Sequence, residues 1–162
     1  MPVPSLSLRR ALVLWLYAVA LSHLLVSFAL TWAGHSGLFD GYLHTIEQVF
    51  WAADAVPVAA REQQVWWLGL FGATLQSYSL YMLALVHIGN RLKASMAWGW
   101  LIAGIVQWAP QDMLLSAQKQ VWSHLWFDCF ALLVLLPPLF WLLRHDRKKS
   151  LSVTALSEPN HA

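Results

Sequence analysis

Four long apolar stretches, almost free of charge, dominate the sequence: about residues 11–33, 64–88, 94–110 and 122–143. An α-helix needs roughly 17–25 residues to cross about 30 Å of hydrocarbon, and each stretch is near that length. A soluble domain of 162 residues has nowhere to hide so much apolar sequence, because a small fold keeps a large share of its surface in water. A bilayer removes the conflict by acting as the solvent. Apolar residues make up 59% of the chain and charged ones 11%, against roughly 45–50% and about 25% in soluble domains. Lipid offers no partner to unpaired backbone groups, so helices are the expected form. The expectation is an all-α fold: a four-helix transmembrane bundle in one domain, residues 1–149, followed by a disordered cytoplasmic tail, residues 150–162.

The basic residues predict the orientation. Arg9 and Arg10 precede the first stretch, Arg91 and Lys93 separate the second from the third, and Arg144, Arg147, Lys148 and Lys149 follow the fourth. With four crossings these eight share one side, leaving Arg61 and Lys119 on the other. Of the acids, Asp40, Glu47, Asp54, Glu62, Asp112 and Asp128 fall on the side with two basic residues, for a charge of −4. Asp146 and Glu158 join the eight, for +6. The positive-inside bias then places both termini in the cytoplasm and the chain in a cell inner membrane, as a multi-pass protein. The basic residues suit anionic lipid headgroups rather than nucleic acid.

Eleven tryptophans fit the same picture. Trp32, Trp66, Trp67, Trp108, Trp122 and Trp126 lie near the outer helix ends, and Trp15, Trp98, Trp100 and Trp141 near the inner ones. An indole, apolar apart from one N–H donor, settles at the headgroup boundary. The first stretch is longer than the 7–15-residue core of a signal peptide, so it reads as an uncleaved anchor.

The loop between the first two stretches carries its own pattern. Apolar Leu38, Phe39, Tyr42, Leu43, Ile46, Val49, Phe50 and Ala53 alternate at helical spacing with a polar stripe of Asp40, His44, Glu47 and Asp54. This predicts a short amphipathic helix over about 38–54, lying in the outer interface and ended by Pro57.

Candidate site residues concentrate toward the outer half. His124 and Asp128 are four apart and share a helix face. A carboxylate in a spanning helix is costly against lipid, so Asp128 is expected to face the bundle with His124 as its partner. The pair suits proton transfer, the carboxylate fixing the imidazole tautomer; the plainer reading is a hydrogen bond that fixes helix rotation. If the loop helix folds over the bundle mouth, His44 and Glu47 approach Asp112, His124 and Asp128, with Gln107 nearby. His44-x-x-Glu47 alone is a weak signal, and no metal site is assigned. His23 and Gln76 lie near mid-membrane, where a polar side chain either serves function or bonds across a helix interface. Gly69, Ala73 and Ser77 on the second helix, and Gly99 and Ala103 on the third, form small-residue stripes suited to close packing.

A single cysteine, Cys129, excludes an internal disulfide and a Cys-x-x-Cys redox pair. Phosphate-loop, Gly-x-Ser-x-Gly and His-Glu-x-x-His motifs are absent. His23, His87 and His124 sit at different depths, which disfavours a bis-histidine haem. No cofactor is indicated. Three readings remain: a protein that binds a membrane-protein partner or lipophilic ligand in the outer half, of accessory or immunity type; an enzyme using the His/carboxylate cluster on a lipid-like substrate; or a subunit of a larger membrane complex.

Overall fold

Apolar runs with 3.6-residue periodicity become helices throughout. The computed structural model describes residues 7–51, 56–57 and 59–157, with side chains as far as residue 148. Five helices make up most of this: α1 (Leu8–Trp32), α2 (Asp40–Phe50), α3 (Ala60–Leu92), α4 (Ser95–Gln118) and α5 (Trp122–Ser157), with no strand among the described residues. Among the described residues, three helical segments are long and apolar enough to cross a membrane: Leu8–Trp32, Ala60–Leu92 and Trp122–Lys148. With 24 residues, α4 rises about 36 Å, but Gln107, Pro110, Gln111 and Asp112 dilute its apolar character. The clearly apolar segments therefore number three where four were expected.

Two boundaries differ for physical reasons. Pro110 lies inside α4 rather than at its end. Proline removes one donor, the one that would serve the Val106 carbonyl, yet leaves the helix able to continue where neighbours support it. Beside the gap, the Gln111 side-chain amide donates to the Gln107 carbonyl at 2.6 Å. At the C-terminus, α5 continues to Ser157, so residues 150–157 are helical where a disordered tail was expected. Residues 158–162 lie outside the described residues.

Packing runs mainly between α1 and α3 and between α4 and α5, with α3–α4 and α1–α5 contacts joining the two pairs. The apolar core, including Leu16, Met82, Val86, Trp98, Ile105, Leu139 and Leu142, lies toward the end that carries Arg9, Arg91 and Arg144, here called the basic end. Most of the remaining apolar surface faces outward: Leu25, Trp32, Trp126 and Leu133 are each more than 70% exposed.

A buried polar knot holds the basic end together. Arg9 of α1 donates to Asp146 of α5 through Nε and Nη2, at 2.9 and 2.8 Å. The same guanidinium reaches the Asn90 side chain of α3 at 3.0 Å and the Gly89 carbonyl at 3.3 Å. Trp98 of α4, fully buried, donates its indole N–H to Asp146 at 3.0 Å. Trp98 is thus a core donor rather than an interfacial anchor. Trp15 has a similar task, donating at 3.1 Å to the Val134 carbonyl. That carbonyl is the one Pro138 leaves without its helical N–H.

The close-packing line on α3 is displaced from the expected Gly69-Ala73-Ser77 stripe, of which Ala73 and Ser77 are exposed. Gly72 and Gly89 make the close approaches instead. A Cβ on Gly72 would lie 2.5 Å from the Thr31 hydroxyl, and one on Gly89 2.7 Å from the Trp98 ring.

Replacing Asp146 by leucine strands Arg9 without its partner, and removing one member of a buried pair costs roughly 3–5 kcal/mol. Asp146→Leu is therefore expected to lower the unfolding midpoint in detergent far more than the Asp146→Leu/Arg9→Met double variant. Equal losses in both would show that the pair itself is not what holds the four helices in register.

Candidate functional site

At the end opposite the basic knot, α2 reaches three other helices. The connection from α1 turns at Gly37, whose φ of +78° favours glycine, and α2 begins at Asp40. Its buried residues are Leu43 and Glu47. Arg61, in the first turn of α3, grips Glu47 through Nε and Nη2 at 2.8 and 2.9 Å. Its third arm holds Asp40 at 2.9 Å. His44 lies 3.6 Å from the same Glu47 carboxylate and contacts the Gln48 amide at 3.0 Å. At the other end of α2, Lys119 sits over the Phe50 ring, 5.9 Å from its centroid.

A second polar centre lies between α2, α4 and α5. The α4–α5 connection is a Schellman-type turn: the Val121 N–H bonds the Ser116 carbonyl at 2.9 Å and the Gln120 N–H bonds that of Ala117 at 3.0 Å. Gln120 takes the left-handed position, φ 59°, usually given to glycine. The turn brings Ser116 beside His124, whose Nδ1 is 3.3 Å from the Ser116 hydroxyl. On the other side Nε2 meets the Tyr42 hydroxyl at 3.1 Å, with the two rings stacked nearly parallel, 5.8 Å apart. Both ring nitrogens are therefore occupied by hydroxyl groups.

One helical turn further along α5, Asp128 is 2% exposed. Asp112 of α4 lies within hydrogen-bonding reach of it and also acts on the Tyr42 hydroxyl. Burial first, and then the charge of Asp112, push the Tyr42 phenol above its ordinary value. Asp128 Oδ2 has no hydrogen-bond partner, and neither polar atom of Gln64, in the second turn of α3, has one either. Buried polar atoms of this kind cost about 1–3 kcal/mol each. Folded proteins leave few of them, so each calls for an explanation. Among the described residues all three such atoms lie toward this end of the molecule.

The expected five-residue cluster is thus divided. Asp112 and Asp128 do meet, and His124 belongs to the same region. His44 and Glu47 do not join them, because Arg61 outcompetes other partners: a bidentate guanidinium satisfies both oxygens of a carboxylate at once. Glu47, a member of the polar stripe of α2, is buried for the same reason. Asp54 lies outside the described residues. The His124–Asp128 dyad does not form either; His124 turns to Tyr42 and Ser116 instead. Among the described residues no three His, Cys, Asp or Glu side chains are arranged to hold a metal ion.

The other candidates have plainer roles. His23 donates Nδ1–H to the Val19 carbonyl one turn back, at 2.8 Å. Gln76 donates to the Thr31 hydroxyl at 2.9 Å, joining α3 to α1. Gln107 is exposed on α4, away from the buried polar groups. Tyr42, Ser116, Arg61 and Gln64 were not singled out as site residues from the sequence. Arg61 alone had a readable signal, as an isolated cation between acids. Comparison with protein-family models, with curated proteins and with solved structures finds no match for this chain.

Hydrogen bonding to Arg61 holds the Glu47 carboxyl below its ordinary value, with the charges of Arg61 and His44 assisting against burial. A depressed folded value means that the clamp contributes in full above the unfolded carboxylate range, near pH 4.3, and fades as pH falls through the lower folded value. Amide exchange in α2 should accordingly be slow at pH 7 and, after correction for intrinsic rates, accelerate only below about pH 4. Glu47→Gln should be fast already at pH 7. An α2 equally protected in that variant would contradict the clamp.

Proposed function

We propose that this chain is a four-crossing protein of a cell inner membrane, with both termini in the cytoplasm, that works by binding rather than by catalysis. Its target is a lipophilic ligand or the membrane segment of a partner protein, received in the outer half beneath α2. The single observation that carries this reading is Asp128: almost wholly buried, facing the Asp112 carboxyl, and with Oδ2 lacking any donor. Two carboxyl groups at hydrogen-bonding reach share one proton between them, so acceptor oxygens outnumber donors and Asp128 Oδ2 is left over. A molecule bringing an N–H, O–H or ammonium group would satisfy them, entering beneath α2 along the face of α5 that carries Leu125 and Asp128.

Catalysis has weaker support. An acid–base histidine needs a nitrogen open to substrate, whereas both nitrogens of His124 are engaged by hydroxyls. The fourth crossing is supported by connectivity. Lys93, in the left-handed conformation, and Ala94 alone separate α3 from α4, and α4 runs back along α5. Trp98, near its start, joins the knot around Arg9, while Ser116, near its end, meets His124. Its ends therefore match those of the three apolar helices. Arg9, Arg91, Lys93, Arg144 and Lys148 share the end of the knot, which supports placing that end in the cytoplasm.

Topology reporters placed after Lys149 and in the 34–39 connection should read inside and outside, respectively; an external signal after Lys149 overturns the orientation. For binding, a photo-crosslinking residue at Leu125 should trap one discrete species in native membranes. A protein-sized adduct identifies a partner helix, and a small one a lipophile. Either should disappear in Asp128→Leu. Adducts of bulk phospholipid only, indifferent to that change, would end the binding reading.

A further inference from the structure

Along the last turns of its apolar segment, α5 lines a groove of about 460 Å³ with Pro137, Phe140, Trp141, Arg144, His145 and Lys148. The residues recur at helical spacing, so one stripe of α5 changes along its length from apolar and aromatic to cationic. We propose that this groove is a binding site for an anionic phospholipid, with the phosphodiester held by Arg144 and Lys148 and an acyl chain laid along Pro137, Phe140 and Trp141.

Depth supports the assignment. The segment Trp122–Lys148 has 27 residues, or about 40 Å of helix, against about 30 Å of hydrocarbon. With Trp122 at one boundary, the hydrocarbon ends close to residue 142. Phe140 and Trp141 then lie just inside it, and Arg144, His145 and Lys148 within the headgroup layer. Charge and polarity thus change at the depth where a phospholipid changes from tail to head.

The groove is also held in shape from behind. His145 stacks on Trp141, with ring centres 4.7 Å apart and planes 17° apart. Asp146 contacts the His145 ring at Nδ1, 3.1 Å away, while its own carboxylate is fixed by Arg9 and Trp98. The negative charge of Asp146 is therefore turned inward and neutralised. Arg144 and Lys148 are exposed, facing the side from which a lipid would come. Two cations flanked by an aromatic shelf complement one phosphodiester carrying an acyl chain, a chemistry that neither a free anion nor a zwitterionic lipid matches in full.

The test uses the full chain purified in mild detergent, with thermal stability and native mass spectrometry as readouts on titration with phosphatidylglycerol, phosphatidylcholine or inorganic phosphate. Wild type should retain phosphatidylglycerol in preference to phosphatidylcholine and be unmoved by phosphate. Arg144→Gln/Lys148→Gln should reduce that preference roughly thirtyfold, the effect of two basic side chains at a membrane surface. Arg10→Gln/Arg91→Gln removes two exposed charges from the same end and should leave it intact. Phe140→Ala should weaken phosphatidylglycerol retention without altering the charge. Equal losses in the two charge-neutralising variants would reduce the effect to general surface potential, and stabilisation by phosphate alone would overturn the lipid assignment.

Discussion

The fold depends on one carboxylate and one guanidinium. Apolar helix faces are nearly interchangeable in a lipid medium, because burying them against each other gains little over burying them in acyl chains. Polar contacts must then choose the register. Arg9 and Asp146, with Asn90, the Gly89 carbonyl and Trp98 as satellites, place one contact on each of α1, α3, α4 and α5. Sliding any of these helices by a turn would leave a buried charge or an indole N–H without its partner. Gly89 belongs to the same device, since only a residue without a side chain lets Trp98 lie flat enough to reach Asp146.

Sequence periodicity and composition carried the helices, their apolar length and the asymmetry of charge, because these depend on sums over many residues. Ends and pairings depend on single partners and were less legible. Pro110 looked like a terminator because proline usually ends a helix in water, yet a packed neighbour lets α4 run on to Gln118. Asp146 and Arg9 were readable only as members of a charge count, 137 positions apart. Likewise Trp98 resembled the other tryptophans until its neighbours were known. The small-residue stripe on α3 was displaced by three positions, since Gly69 and Gly72 are equally good in composition and only the closer approach of α1 at Gly72, through Leu30 and Thr31, distinguishes them.

The candidate site follows the same rule. Asp112 and Asp128 stood out because an acid in an apolar helix is costly wherever it points, and they do meet. What spacing could not reveal was competition. His44 and Glu47 were good partners for His124 and Asp128 by type, but Arg61 offers Glu47 two parallel bonds, and Tyr42 reaches His124 from the same short helix. A helix of 11 residues can present one face to α3 and another to α5, and α2 does both.

The two ends of the molecule differ in how completely their polar groups are satisfied. At the basic end the Asp146 carboxylate has its partners in place, and the apolar core packs around a closed network. Toward the opposite end lie Asp128 Oδ2 and both polar atoms of Gln64, unpartnered, near a helix attached by a part-buried ion pair, a phenol and one cation–π contact. Buried polar atoms without partners lower stability, and leucine in place of Asp128 would remove one of them. Under the proposed binding reading a donor from outside the chain would complete Asp128, and α2, held by fewer contacts than the four-helix body, would be the part that yields when it arrives.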